Sequence, residues 1–266
     1  MRILGKTMTL VGSLLILTSA HAAAASDADD TGWQLAAAVY GWFPDIGGET
    51  RTGEFGIDIE QILDNLKFTF QGGVDARRGR WGIVTDVIYM DVHASETLSG
   101  EGTLGGTPIP VDVEADLDFS MESWIWTTAG YYRLVDQPGR AFDLLAGVRY
   151  IDIDQRLEWS LGGNVGQIPL PDRQGAGSAG LSNWDVVIGL RGHVAFGRDD
   201  AWFVPFHLDG GAGESDFTWQ AMAGLGYRFG WGEVIGFWRY LDYDLDSNAV
   251  QSADFNGPGL GAVFRW

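Results

Sequence analysis

The chain has 266 residues, with 39 glycines, 12 tryptophans and no cysteine. The missing cysteines exclude disulfides, thiol catalysis, Cys-ligated zinc and a lipid-anchored cysteine. A formal charge of −19 excludes a nucleic-acid partner, whose binding rests on phosphate neutralisation.

The chain opens with an export signal. Arg2 and Lys6 form a charged start, Met8–Leu17 a short apolar core, and Ala20-His21-Ala22 an A-x-A cleavage site. Residues 1–22 are therefore expected to be cleaved and residues 23–32 to form a short acidic periplasmic leader. Without the first 22 residues the formal charge is −21. After the N-terminus no apolar run reaches 18 residues, which excludes a bundle of membrane helices. A membrane barrel is not excluded, because its outward apolar residues alternate with inward polar ones.

Trp33–Phe43 predicts a first strand, ended by Pro44-Asp45. The long connection that follows, Ile46–Leu66, contains a predicted short helix at Asp58–Leu66. There Ile59, Ile62, Leu63 and Leu66 share a face, and Asp58 with Gln61 makes a capping box. Such a helix would cover one mouth of a barrel or pack against a loop. Lys67–Val92 reads as a hairpin about the Gly79-Arg80 turn. Phe68, Phe70, Val74 and Ala76 alternate with Lys67, Thr69, Gln71, Asp75 and Arg77, and the return run alternates in the same way. A period of two marks strands, and runs of about a dozen residues suit a tilted membrane crossing, which needs about 9–11.

Ala94–Ser120 is a second long connection, in which Val111–Phe119 alternates and predicts a strand projecting beyond the membrane. Strands follow at Met121–Val135, Ala141–Trp159, Ser182–Phe196, Ala201–Gly211, Phe217–Phe229, Glu233–Leu245 and Gly259–Trp266. The linkers between them alternate in length, with short turns at Asp136–Arg140, Gly197–Asp200 and Trp231-Gly232. Longer stretches lie at Leu161–Leu181 and Asp246–Asn256, and a modest one at Ala212–Asp216.

This pattern predicts an all-β fold: a transmembrane antiparallel up-and-down β-barrel of about 10 strands spanning residues 33–266, with the helix in its first outer loop. Short periplasmic turns, longer outer loops and an even strand number belong to outer-membrane barrels. Admitting Val111–Phe119 and a piece near Gly53–Ile59 to the wall would give twelve strands, and merging weak ones would give eight. A soluble periplasmic β-domain is the alternative class.

Leu260, Ala262, Phe264 and Trp266 share one face of the last strand. This resembles the C-terminal strand of outer-membrane barrel proteins, which ends in Phe or Trp. The resemblance implies an assembly signal at Phe264 and Trp266, read by the barrel-assembly machinery. Asp64-Asn-Leu-Lys-Phe68, Ala76-Arg-Arg-Gly-Arg-Trp-Gly82 and Asp86-Val-Ile-Tyr89 resemble a hairpin in a family of uncharacterised proteobacterial outer-membrane β-barrel proteins. Gly147–Tyr150 and Trp238–Tyr240 share the family's small-porin look. The resemblance implies a location in the bacterial outer membrane, among lipid and lipopolysaccharide, and brings no activity with it. A monomer without cofactor or metal is expected.

Alternation sends Val39, Phe68, Phe70, Val87, Trp126, Leu144, Val148, Val186, Ile188, Leu190, Phe206, Leu225, Trp238 and Phe264 outward. It sends a charged set inward: Asp75, Arg77, Asp86, Asp143, Arg149, Asp185, Arg191, His193, His207, Asp209, Arg228, Arg239 and Arg265. Charges in a low-dielectric lumen need partners or water, and a barrel near eight strands is narrow enough for side chains to fill. The set therefore reads as a salt-bridged filling or as a charged passage for small solutes. A repeat, Tyr89-Met-Asp91, Arg149-Tyr-Ile-Asp152 and Arg239-Tyr-Leu-Asp242, recurs on three outward-running strands. With Asp154 and Asp244 it places acids at the outer rim, as solvated charges or as carboxylates for a divalent cation.

His207 and Asp209 fall on one inward face, a spacing that resembles the Asp/His pair of ten-stranded outer-membrane proteases, although their second acidic pair is not apparent. No G-x-S-x-G, P-loop or H-E-x-x-H is present. Ser123 or Ser182 would serve a hydrolase only beside a histidine. A porin-like or envelope-structural protein, not an enzyme, is the expected reading. A barrel binding through its outer loops and a hydrolase using His207 and Asp209 are the rivals.

Overall fold

The computed structural model describes residues 32–50, 53–57, 60, 65–103, 110–165, 168–169, 171, 173–245 and 250–266. The predicted export signal and leader lie outside the described residues, apart from Gly32. So does the predicted helix, apart from Glu60, Asn65 and Leu66. Thirteen strands are present among the described residues: β1 (Trp33–Trp42), β2 (Asp45–Thr50), β3 (Gly53–Ile57), β4 (Leu66–Arg78), β5 (Trp81–Thr103), β6 (Pro110–Gln137), β7 (Arg140–Val165), β8 (Ile168–Pro169), β9 (Arg173–Phe196), β10 (Trp202–Gly213), β11 (Phe217–Phe229), β12 (Gly232–Asp244) and β13 (Val250–Arg265).

Ten of these close into a ring, β1-β4-β5-β6-β7-β9-β10-β11-β12-β13 and back to β1, with antiparallel pairing. Ala36 of β1 lies opposite Asp75 on one side and Arg265 on the other. Closure leaves no strand edge unpaired within a membrane, which is the condition for spanning one with strands. The turns at one end are tight. Gly79 and Gly139 sit at φ +58° and +73°, a left-handed conformation that glycine adopts without steric cost. Both ends of the ring's chain lie on this periplasmic side.

Alternation fixes the two faces. Val39, Phe68, Phe70, Val186, Ile188, Leu190 and Leu225 are exposed on the outside, and aromatic side chains bound this apolar belt. At the periplasmic end Trp81 packs on Tyr132, and Trp202, Tyr227, Phe229, Trp231 and Phe264 form a continuous run. At the outer end Phe68, Tyr89 and Trp124 pack together, as do Trp126, Trp184 and Tyr150, and Trp219 with Tyr240. The girdles stand eight residues apart on three strands (Trp81 to Tyr89, Tyr132 to Trp124, Tyr227 to Trp219), about 27 Å along a strand. That matches a membrane-spanning barrel with its interfacial aromatics. Polar atoms inside the belt satisfy one another: the Thr85 and Thr128 hydroxyls bond at 2.6 Å, and Trp126 Nε1–H donates to Thr85 at 2.8 Å. The protein is an outer-membrane β-barrel.

The long connections are a correction. Ala94–Ser120 and Leu161–Leu181 are mostly strand rather than loop. β5 pairs with β6 out to Thr103 opposite Pro110, and β7 pairs with β9 out to Leu161 opposite Arg173, with β8 prolonging that hairpin. Val111–Phe119 is thus part of β6 and not a separate strand. From Tyr150 to Val165, β7 rises about 50 Å along its length beyond the girdle. The first connection holds β2 and β3, which extend β13 as a hairpin, and Asp246–Asn256 gives its second half to β13. Outside the membrane these segments need no apolar outer face, so Gly- and Ser-rich stretches are held by backbone ladders, helped by side-chain bonds such as Thr97 to Asp116 at 2.8 Å and Ser160 to Asp116 at 3.2 Å.

Candidate functional site in the lumen

The inside of the barrel divides into two layers. The outer layer is apolar. Trp42, Ile88, Met90, Val92, Met121, Ile125, Ile151, Ile153, Leu241, Tyr243, Leu245 and Phe255 point inward and pack into one buried cluster. Ile88, Ile151, Leu241 and Tyr243 are 0% exposed. Trp42 is pinned there by Gln71, which accepts from its backbone N–H at 2.6 Å and donates to its carbonyl at 3.0 Å. Its indole N–H donates to the Gly257 carbonyl at 3.1 Å. The inward set drawn from the sequence names only charged residues and histidines, and so does not include this plug. Its signal lay in the same alternation, at Ile88, Ile125, Ile151, Leu241 and Phe255.

Beneath the plug lies a charged layer. Arg149, fully buried, reaches both carboxylate oxygens of Asp209 with Nη2, at 2.7 and 2.6 Å. Its Nε–H and Nη1–H donate to Thr127 and Thr218 at 3.3 and 3.4 Å. His207 Nε2 stands 2.6 Å from Asp209. Arg239 meets Asp86 at 3.1 Å, bonds Gln220 through two nitrogens at 2.9 and 2.6 Å, and lies over the Trp42 ring. Tyr40 donates to Asp86 at 2.6 Å.

Nearer the periplasm Arg191 bridges Asp75 at 2.5 Å and Asp143 at 3.3 Å while stacking on Tyr131. Arg133 clasps Asp143 from below at 2.7 and 3.2 Å, and Arg77 meets Asp136 at 3.1 Å. At the mouth Glu233 accepts from Arg228 at 3.0 Å and from Arg265 at 2.8 Å. Asp185 is held by the backbone N–H and hydroxyl of Ser215, at 2.9 and 2.8 Å. His193 lies edge-on to Phe203. The predicted inward set thus resolves into named pairs. Gln220, Tyr40, Tyr131, Arg133 and Glu233 complete it, and their partners depend on register around the ring, which one strand's pattern does not carry.

The charged layer encloses space. A cavity of about 320 Å³ lies among Ala38, Tyr40, Asp86, Ala129, Met222 and Arg239. A vestibule of about 590 Å³ lies among Gln34, Arg77, Arg133, His193, Phe203 and Glu233. Asp75, Arg191, Pro205, His207, Met222 and Ile235 border both, so they form one chamber open to the periplasm. Small inward residues leave the room: Ala36, Ala38 and Ala129. Glycine also lets rings lie flat on the wall. A Cβ at Gly259 would come within 2.2 Å of the Phe237 ring, and one at Gly82 within 2.3 Å of Tyr131.

The other predicted residues fall elsewhere. Asp91, Glu122 and Asp154 stand opposite one another on β5, β6 and β7, just above the outer girdle, and Asp242 stands opposite Asp254. Burial and the neighbouring Asp254 and Asp244 hold the Asp242 carboxyl above the usual carboxylate range, against a lowering hydrogen bond from Tyr240. Among the described residues no group of three His, Asp or Glu has a geometry suited to a metal. Ser123 is buried in the plug layer beside Met90 and Ile153, and Ser182 bonds the Tyr150 hydroxyl at 3.2 Å on the outside. Neither serine is brought to His207. Phe264 and Trp266 are exposed at the periplasmic end of β13.

No family model matches the chain, and no curated protein matches it. Among solved structures it is similar to the attachment invasion locus protein Ail of Yersinia pestis, with 11% identity over 89% of this chain and 99% of that one and a TM-score of 0.32. It is similar also to the translocator domain of the autotransporter NalP from Neisseria meningitidis (11% identity, 90% of each chain, TM-score 0.36). A third is OccAB3 of Acinetobacter baumannii (9% identity, 88% of this chain and 99% of that one, TM-score 0.24). The closed strand ring, not these likenesses, establishes the barrel.

Proposed function

We propose that this protein is an envelope-structural barrel whose lumen is sealed toward the cell exterior, rather than an open porin. One observation carries the reading: the inward side chains of the outer layer meet as a buried apolar core. The Arg149–Asp209 and Arg239–Asp86 pairs lie directly beneath it. Passage of even a small solute would have to displace both layers. Full burial of one large apolar side chain is worth about 1.5–3 kcal/mol, so the seal is maintained in the resting protein. The test is conductance of the refolded chain in a planar bilayer. Insertion without discrete current steps is expected, and steps of fixed size would overturn the reading.

A second reading is favoured by the projecting sheet of β5, β6, β7 and β9. Its barrel-axis face carries Leu157, Trp159 and Leu161, all exposed, which suits capture of a ligand or surface partner. A hydrolase is disfavoured: among the described residues no serine bonds His207 or Asp209, and both oxygens of Asp209 are already held by Arg149.

A further inference from the structure

We infer that the periplasmic chamber is a binding site for a neutral amphipathic molecule of about two fused rings, entering from the periplasm. Its size comes first. A dry apolar cavity of about 150 Å³ takes up benzene, and the inner space here is about 320 Å³. Its walls come second. Val84 packs on the buried patch of Ala129, Tyr131 and Leu145, and Met222, Ile235 and Phe237 add apolar surface. A few polar groups interrupt this wall, which is the composition of a small-molecule pocket rather than a water channel.

Charge decides the ligand class. Each arginine bordering the chamber already has a carboxylate: Arg239 with Asp86, Arg191 with Asp75 and Asp143, Arg133 with Asp143, Arg77 with Asp136, and Arg265 with Glu233. Asp209 beside His207 is taken by Arg149. A charged ligand would have to break one of these pairs and leave its partner uncompensated. A neutral hydroxyl or carbonyl can add to Tyr40, Gln220, Thr127 or His207 without doing so. The plug above and the wide vestibule below set the direction of entry.

The inference rests on the same sealed lumen, but its test does not read conductance. The refolded chain in phospholipid nanodiscs is titrated with fluoronaphthol and followed by fluorine NMR, with empty nanodiscs giving the non-saturable partition. A saturable component is expected, weakened at least tenfold in both Ala38→Phe and Ala129→Phe, which fill the space from two different strands, β1 and β6. Naphthalenesulfonate and naphthylmethylammonium are expected not to displace it. Strand circular dichroism and heat-modifiable migration identify whichever filled variant keeps the fold, and that variant decides. Absence of a saturable component, its retention in the folded filled variant, or displacement by either charged analogue would each overturn the inference. A conducting protein that still binds fluoronaphthol would sink the sealed-barrel reading alone.

Discussion

The two halves of this lumen are built from the same strands by opposite chemistry. Toward the exterior, inward positions carry mostly Ile, Leu, Met and Phe, which need no partners and fill space by contact. Toward the periplasm the same faces carry Arg, Asp and Glu, which tolerate burial only as complete pairs, interspersed with Ala and Gly that leave a chamber. An apolar layer fails gradually as atoms are removed. A charged layer fails abruptly when one partner goes. The variants below separate these behaviours.

The largest effect is expected in the charged layer. Arg149→Met leaves the buried Asp209 carboxylate with His207 as its one remaining partner and should cost about 3–5 kcal/mol, read as an earlier midpoint in urea unfolding from lipid. Adding Asp209→Leu should recover most of that loss, since a matched apolar pair removes the orphan charge. A double variant no better than the single would refute pairing as the cause. In the plug, Leu241→Ala should cost about 2–4 kcal/mol through lost burial and a cavity, without a second-site rescue of that kind. His207→Ala, which leaves Arg149 on Asp209, should cost only about 1 kcal/mol. A loss as large as that of Arg149→Met would make the histidine a structural member of the pair.

The smallest effect is expected at the outer rim, and it has the opposite sign. The Asp242 carboxyl is held above its usual range, so the folded state disfavours its charge. The resulting destabilisation is present at neutral pH and disappears as pH falls through the raised value toward the ordinary carboxylate pKa of about 3.9. Asp242→Asn should therefore stabilise at pH 7 and make no difference once wild-type Asp242 is protonated. A difference that grows as pH falls would reverse the assignment.

Much of this was legible in the chain itself. A period of two in Phe68–Ala76 and Trp81–Tyr89 gave faces and crossing length, and alternating linker lengths gave ten strands and their direction. The projecting sheet was legible only in part: Val111–Phe119 alternates and reads as a projecting strand, whereas segments such as Arg173–Leu181 pair through backbone groups that every residue carries. The charged residues were visible at Arg149, Asp209 and Arg239, but not their partners: Arg149 meets Asp209 two strands away around the ring, a relation set by ring closure and tilt. The plug was hidden by expectation rather than by pattern, since Ile88 and Ile151 were in phase with the inward charges.

The central claim is a lumen sealed outside and open inside, and the cysteine-free sequence allows a direct measurement. Ala38→Cys, in the chamber, and Ala253→Cys, in the plug, are placed singly in oriented proteoliposomes and exposed to a small membrane-impermeant thiol reagent on one side at a time. The account predicts labelling at position 38 from the periplasmic side only, and none at position 253 from either side. Labelling at position 38 from the exterior would contradict it.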